Sequence, residues 1–135
     1  MKSYAEREIF THREMAIWCD AVDMVKRVRP DRGNEVRCHE LTRAVQRLLW
    51  LLKHDLRLVD GKLRAIEHSW LLIETPHREL NRAVILDVYC PGRLPQVQLI
   101  DSHFSVANGY EPGEPLTDIK LNLIGQLIRD MERPK

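Results

Sequence analysis

Three residues of this 135-residue chain, Cys38, His68 and Asp87, are of the types from which a nucleophilic thiol site is built. A neutral thiol is a weak nucleophile, and an imidazole that removes its proton produces the reactive thiolate. A carboxylate on the other ring nitrogen holds the imidazole in one tautomer and stabilises its protonated form. The sequence therefore supports nucleophilic chemistry if folding brings these three side chains together.

Cys38 stands near the start of the clearest helical pattern in the chain. Apolar residues recur at i, i+3, i+4 and i+7 over residues 36–53, which predicts a helix with one buried face. Cys38 lies three residues before Leu41 and shares that face, in a first turn whose free backbone N–H groups favour an anion. The next residue, His39, is rotated by about 100° and is expected to point away from the core.

His68 and Asp87 fall on two apolar segments that predict the paired strands of a hairpin. The expected register places His68 opposite Asp87 and Trp70 opposite Ile85, so that the carboxylate accepts the Nδ1 hydrogen of the imidazole and leaves Nε2 for the thiol. Trp70 shares the strand face of His68. It is predicted to be a core residue that also shields the hydrogen bond between His68 and Asp87.

Further patterns predict the elements that position these residues. They are one helix or two short ones over residues 6–28, a helix over 119–131, a loop over 30–34 and a mostly irregular segment over 101–117. Strands are predicted over 56–59, 62–66, 68–73, 83–89 and 96–100. The dipeptide Asp60-Gly61 is predicted to form a type I′ turn between the first two strands. The irregular segment is long enough to cover a site.

These elements predict a single α+β domain over residues 1–135. In this fold, the central helix that bears the cysteine packs on a small antiparallel sheet, and one helix lies at each end of the chain. The 21 basic and 20 acidic residues give a net charge of +1, so no overall field attracts nucleic acid.

The apolar segments are too short to span a membrane, and the first residues are charged where a signal peptide is apolar. We therefore expect a cytoplasmic protein with neither a membrane nor a nucleic acid as partner. The oligomeric state does not follow from the sequence.

The three cysteines, Cys19, Cys38 and Cys90, form an odd set without CxxC spacing, which argues against a disulfide framework and a structural zinc site. Taken singly, each is typical of a small buried apolar residue. A metal site would gather Cys38, His68, Cys90 and His103, but these residues lack the paired spacing of familiar zinc sites. We expect neither a metal nor another cofactor.

Cys38-His39-Glu40-Leu41, His68-Ser69-Trp70 and Ile85-Leu86-Asp87 follow one another in the chain. Their order resembles the core of the transglutaminase-like and papain-like cysteine hydrolases, in which a cysteine begins a helix, a histidine follows in a His-aromatic strand motif, and an aspartate lies on the next strand. The resemblance covers residues 36–91. It implies an acyl-transfer enzyme with Cys38 as nucleophile, His68 as base and Asp87 as the group that orients the base.

The resemblance implies an amide or acyl substrate, such as a peptide or protein, and leaves hydrolysis and transfer to an amine both open. Papain-like relatives often use a glutamine just before the cysteine to bind the oxyanion, and residues 31–37 contain none. Asn34 is the comparable amide, although such a residue is more often a turn or cap. Asn34 and Trp70 are therefore secondary candidates for substrate or oxyanion contacts. The alternative to an enzyme is a noncatalytic protein- or peptide-binding module on the same scaffold.

Overall fold

The computed structural model describes residues 10–74, 83–88, 97–101 and 109–133. Within these ranges the helices are α1 (His12–Lys26), a 3₁₀ helix (Pro30–Glu35), α2 (Cys38–Leu51) and α3 (Leu121–Met131). The strands are β1 (Arg57–Leu63), β2 (Ile66–Glu74), β3 (Ala83–Asp87), β4 (Gln98–Asp101) and β5 (Tyr110–Pro112). The predicted α+β class is confirmed.

The five strands form one antiparallel sheet in the order β4-β3-β2-β1-β5. Two strands separate β3 from β5, yet the hydroxyl of Tyr110 on β5 hydrogen-bonds to Asp87 on β3. A flat sheet would hold these residues too far apart, since neighbouring strands are about 4.8 Å apart. The sheet is therefore curled, and the side chains on its inner face converge.

The central helix α2 packs on β2 and lies against both α1 and α3. Its residues Leu41, Ala44, Val45 and Leu49 are completely buried, as the helical spacing of apolar residues predicts. Burial of each leucine or valine side chain contributes about 1.5–3 kcal/mol before entropic costs. This packing fixes the start of α2, and hence Cys38, relative to the sheet.

The side chains of β2 alternate between two apolar clusters. Leu71 and Ile73 face the helices, whereas Trp70 packs with Ile85 and Tyr110 on the other face of the curled sheet. His68 has the same parity as Trp70 and therefore belongs to the second face. The curl allows that face to carry its own small buried core.

The predicted turn at Asp60-Gly61 is wrong, because β1 continues through both residues and ends at Leu63. The chain reverses at Arg64 and Ala65, which have φ values of 51° and 69°. Gly61 is needed for another reason: a Cβ there would lie 2.1 Å from the carbonyl oxygen of Glu111 on β5. The glycine permits a close strand approach rather than a turn.

The segment that was predicted to be mostly irregular contains β5, which pairs Gly61, Lys62 and Leu63 with residues 110–112. The start of the predicted N-terminal helix, Cys90 and His103 lie outside the described residues. The observed α1 begins at a capping box, in which Thr11 and Glu14 each bond the other's backbone N–H. No helix in the described ranges has the length and apolar character required to cross a bilayer.

Candidate active site

Cys38 is the first residue of α2, and its side chain is buried with 7% exposure. Backbone N–H groups of a first helical turn point toward the helix end, where their partial positive charge favours an anion. The thiol lies near the imidazole of His68 and helps to raise the pKa of that ring. Its sulfur also lies 3.5 Å from Nδ1 of His39. Cys38 thus lies at a helix N-terminus, near the rings of two histidines.

His68 on β2 contacts Asp87 on β3, with 2.8 Å between Nε2 and Oδ2. Both side chains are buried, at 2% and 0% exposure. The structure therefore brings Cys38, His68 and Asp87 together. Because Nε2 is engaged by the carboxylate, Nδ1 is the ring nitrogen left for the thiol, and the predicted use of Nδ1 for Asp87 is wrong.

The predicted strand register is also wrong, because Ile85 pairs with Leu72 rather than with Trp70. This displacement of two residues leaves Asp87 diagonal to His68 instead of directly opposite. A displacement by an even number keeps each side chain on its face of the sheet. Diagonal neighbours are still within reach of an imidazole and a carboxylate, so the contact forms despite the displacement.

The environment of His68 favours its protonated form. Burial by itself lowers the pKa of this imidazole, but the hydrogen bond to Asp87, the interaction with Cys38 and the charge of Asp87 outweigh burial and raise the pKa to about 9. His68 therefore carries a positive charge at pH 7. An imidazolium beside a thiol is the arrangement that stabilises a thiolate.

Two aromatic residues complete the surroundings of His68 and Asp87. The ring of Trp70 stacks on His68 with 6.2 Å between centroids, and it meets Tyr110 edge to face at 5.1 Å. The Tyr110 hydroxyl donates a 2.6 Å hydrogen bond to Oδ2 of Asp87. Sequence reasoning missed Tyr110, because a three-residue strand leaves no periodic signal.

A second polar network lies on the other side of Cys38. His39 Nδ1 is 2.8 Å from Ser69 Oγ, and that hydroxyl donates a 2.6 Å hydrogen bond to Oδ1 of Asp60. Arg43 binds the other oxygen of Asp60 at 2.7 Å. The prediction that His39 points away from the core is wrong, since only 8% of the residue is exposed.

The position of His39 follows from the enclosure of the first turn of α2, where residues 38–42 are all buried. On one flank lies β2, and on another lies the segment that follows β5. The backbone N–H of Leu116 in that segment bonds Asp60 at 2.9 Å, and that of Lys120 bonds Glu40 at 3.0 Å. Part of the predicted irregular segment thus lies over the start of the cysteine helix.

The charges of this network are set by burial and pairing. Burial raises the pKa of Asp60, but hydrogen bonds from Arg43, Leu116 and Ser69 lower it below its usual range, which leaves the carboxylate ionised. Burial and the positive charge of Arg37 lower the pKa of His39. His39 is therefore neutral at pH 7, whereas His68 is charged.

An apolar groove of about 600 Å³ opens beside this site. Its lining includes the apolar residues Val59, Trp70, Ile85 and Tyr110 and the charged residues Arg43, Arg57 and Asp60. Cys38, His68 and Asp87 are not among its lining residues. The groove instead reaches the site through Trp70 and Tyr110, the rings that contact His68 and Asp87.

The secondary candidates have different positions. Trp70 is buried against His68 and borders the groove, and its contact with a substrate remains a prediction. Asn34 lies in the 3₁₀ helix that precedes α2, and its side chain is outside the described ones. The described part of the chain contains no group of three His, Cys, Asp or Glu residues that could hold a metal ion.

Comparisons of the chain with protein-family models, curated proteins and solved structures give no match. The resemblance to transglutaminase-like enzymes stays a prediction from the residues themselves. The chemistry available to the site therefore follows from its own side chains, their contacts and their charges.

Proposed function

We propose that this protein is a thiol-dependent hydrolase or acyltransferase that acts on an amide or acyl substrate through Cys38, His68 and Asp87. The observation that carries the proposal is the position of the His68 ring, which lies 2.8 Å from Asp87 and close enough to the Cys38 thiol for that thiol to help raise the pKa of the ring. The proposed fold is a transglutaminase-like core. A cysteine at the start of a helix, packed on adjacent strands that carry a histidine and an aspartate, supports it.

In the first half-reaction, the Cys38 thiolate attacks the substrate carbonyl carbon, and the carbonyl π electrons move onto oxygen. The new oxyanion accepts a hydrogen bond from the backbone N–H of Cys38 at the start of α2. The tetrahedral intermediate then expels the amine, which takes its proton from the His68 imidazolium. The products of this step are a thioester on Cys38, a free amine and a neutral His68.

In the second half-reaction, water or an amine attacks the thioester carbonyl while neutral His68 accepts its proton. Collapse of the second tetrahedral intermediate breaks the carbon–sulfur bond and restores the Cys38 thiolate beside the His68 imidazolium. Asp87 keeps the ring oriented and stabilises its charge throughout. The cycle is closed and requires no cofactor.

The groove beside the site supports an acyl donor that carries an apolar side chain, such as a peptide or protein amide. Most of its lining residues are apolar, and the charged ones are Arg43, Arg57 and Asp60. An apolar pocket with few polar groups is typical of small-ligand and side-chain recognition.

Acyl-enzyme capture tests the proposal. The full chain is treated with p-nitrophenyl acetate at pH 6 to 7, quenched in acid and examined by intact-protein and peptide mass spectrometry. We expect one acetyl group, and we expect it on Cys38. An ordinary thiol with a pKa of about 8.5 is mostly protonated under these conditions and therefore reacts slowly. Cys38→Ser should abolish rapid acetylation, His68→Ala should slow it, and Cys19→Ser should leave it unchanged, since Cys19 is exposed on α1.

The fate of the thioester separates the two reaction types. A hydrolase releases acetate at the same rate with or without an added primary amine, whereas an acyltransferase forms the acetylated amine and turns over faster as the amine concentration rises. If folded wild-type protein acetylates Cys38 no faster than Cys19, or if His68→Ala has no effect, the proposed function is wrong.

A noncatalytic binding module is the second candidate, and the low exposure of the site favours it. Cys38 and His68 are 7% and 2% exposed, and the adjacent groove excludes both side chains from its lining. Under this alternative, the buried polar contacts hold the start of α2 on the sheet, and the apolar groove takes a peptide. Peptide binding that survives Cys38→Ser, combined with no acyl-enzyme, would support the binding module.

A further inference from the structure

The sulfur of Cys38 has two imidazole neighbours, and the proposed mechanism uses one of them. His68 serves as acid and base, while His39 lies with Nδ1 at 3.5 Å from the sulfur and at 2.8 Å from Ser69 Oγ. His39 is buried, and it takes no part in either half-reaction of the proposed mechanism. Whether Nδ1 of His39 carries a hydrogen determines whether the ring donates a hydrogen bond to the sulfur or accepts one from it.

The network behind His39 fixes that proton. Asp60 is ionised and can only accept hydrogen bonds. Ser69 has one hydroxyl hydrogen, which it donates to Oδ1 of Asp60 over 2.6 Å, so its oxygen must accept at the contact with His39. The 2.8 Å contact between Ser69 Oγ and His39 Nδ1 therefore requires a hydrogen on Nδ1.

We propose that His39 is a further catalytic residue, a neutral imidazole that shares its Nδ1 hydrogen between Ser69 and the sulfur of Cys38. This inference rests on the proposed role of Cys38 as nucleophile. Ser69 and Asp60 act as positioning residues, because they keep the hydrogen on Nδ1. The ring contributes no proton to the product and takes none from the substrate.

The two histidines therefore have different tasks. His39 cannot accept the thiol proton at Nδ1, because that nitrogen already carries hydrogen, which leaves His68 as the base. A hydrogen bond to an ionised group is about twice as strong as one between neutral groups. The hydrogen bond from His39 is thus stronger when the sulfur is a thiolate and weaker once the thioester has formed. The stronger bond stabilises the thiolate, which is the nucleophile.

Nitrogen-15 NMR of the histidines tests the tautomer directly in the full chain. The ring signals of His39 are assigned by their loss in His39→Asn, and long-range ¹H–¹⁵N correlations then identify the protonated nitrogen. We expect the neutral Nδ1–H form at pH 7, and a shift toward Nε2–H in Ser69→Ala, which removes the acceptor. A His39 ring that is Nε2–H or imidazolium in the wild type would overturn the proposal.

Variants at position 39 test the contact with sulfur. Asparagine places its amide nitrogen near the position of Nδ1, whereas glutamine places its nitrogen near that of Nε2. At pH 6, alkylation of Cys38 by iodoacetamide should stay within about threefold of wild type in His39→Asn and fall about tenfold in His39→Gln, as expected for loss of a hydrogen bond to a charged group. Equal rates in wild type and folded His39→Gln would overturn the role of His39.

The two proposals fail in different ways. An unreactive Cys38 in the wild type removes the proposed function and, with it, the catalytic role of His39. A reactive Cys38 that depends on His68 but not on His39 removes this inference alone. Circular dichroism and thermal melts of each variant identify any loss of reactivity that results from unfolding.

Discussion

The hydroxyl of Tyr110 donates a 2.6 Å hydrogen bond to Oδ2 of Asp87, the same oxygen that lies 2.8 Å from Nε2 of His68. Tyr110 comes from β5, at one edge of the sheet, and Asp87 comes from β3. The orientation of the carboxylate therefore depends on the curl of the whole sheet. A residue far from Cys38 in the chain thus helps to hold the contact between His68 and Asp87.

Tyr110→Phe removes this hydroxyl and keeps the ring. We expect a loss of about 1–3 kcal/mol in the free energy of unfolding, because a buried carboxylate loses a donor. Tyr110→Leu should cost more, since it also removes the edge-to-face contact with Trp70. Urea denaturation measures both, and a Tyr110→Phe variant within about 0.5 kcal/mol of wild type would contradict the importance of this hydrogen bond.

The raised pKa of His68 predicts a pH-dependent stability. Folding raises the pKa of this imidazole from 6.5 to about 9. Its contribution to the free energy of unfolding is therefore fully present below pH 6.5 and is lost as the pH rises through 9. The loss should reach about 3 kcal/mol at most. Urea denaturation between pH 6 and pH 10 would measure it.

Asp87→Asn is the matched control for this pH dependence, because it removes the charge that supports the imidazolium while it keeps the shape of the side chain. The variant should be less stable than wild type at pH 6 and should lose less stability toward pH 10. If the free energy of unfolding changes equally with pH in the two proteins, the ion pair between His68 and Asp87 does not determine the pH dependence of stability.

Part of this fold was predictable because its signal is local. The helix α2 follows from the spacing of Leu41, Val45 and Leu48, and it is observed over Cys38–Leu51. The proximity of His68 and Asp87 also followed from sequence, although their register was wrong. A displacement of two residues preserves strand parity, so the shared face does not depend on the exact pairing.

The parts that could not be predicted depend on contacts distant in the chain. Gly61 has the sequence context of a turn, but its close pairing with β5 is what requires a glycine there. Likewise, helical periodicity assigns His39 to an exposed face, whereas in the structure the residue is buried and its ring contacts Ser69 on β2. Neither packing partner is encoded in the residues adjacent to these positions.

The buried face of α2 is tested by neighbouring substitutions. Leu48 is buried in the main core, whereas Arg47 is exposed, with its guanidinium 5.1 Å from the centre of the Trp50 ring. Leu48→Ala should reduce the free energy of unfolding by about 2–5 kcal/mol. Arg47→Ala should cost less than about 1 kcal/mol, which is the value of an exposed cation–π contact. Similar losses in both variants, measured by urea denaturation, would mean that the helix face is assigned incorrectly.

Two glycine-to-alanine substitutions test the approach of β5 to β1. At Gly61 an added Cβ would lie 2.1 Å from the carbonyl oxygen of Glu111, a backbone atom that cannot rotate away, so β5 must shift. Gly125 lies within α3, and the nearest atom to an added Cβ there is the Arg129 side chain at 3.7 Å. Gly125→Ala should therefore stabilise the protein by about 0.5–1 kcal/mol, because alanine favours the helix.

Gly61→Ala, by contrast, should destabilise the protein by about 2 kcal/mol or more, since strain and lost strand pairing add together. Because Tyr110 belongs to β5, the same shift should lengthen its hydrogen bond to Asp87 and slow acetylation of Cys38. Urea denaturation and acyl-enzyme mass spectrometry on both variants measure these effects. A Gly61→Ala protein with wild-type stability and wild-type acetylation would show that β5 neither pairs with β1 at this distance nor holds the carboxylate of Asp87. A loss of stability with normal acetylation would show that the pairing of β5 with β1 stabilises the protein but does not affect the reactivity of Cys38.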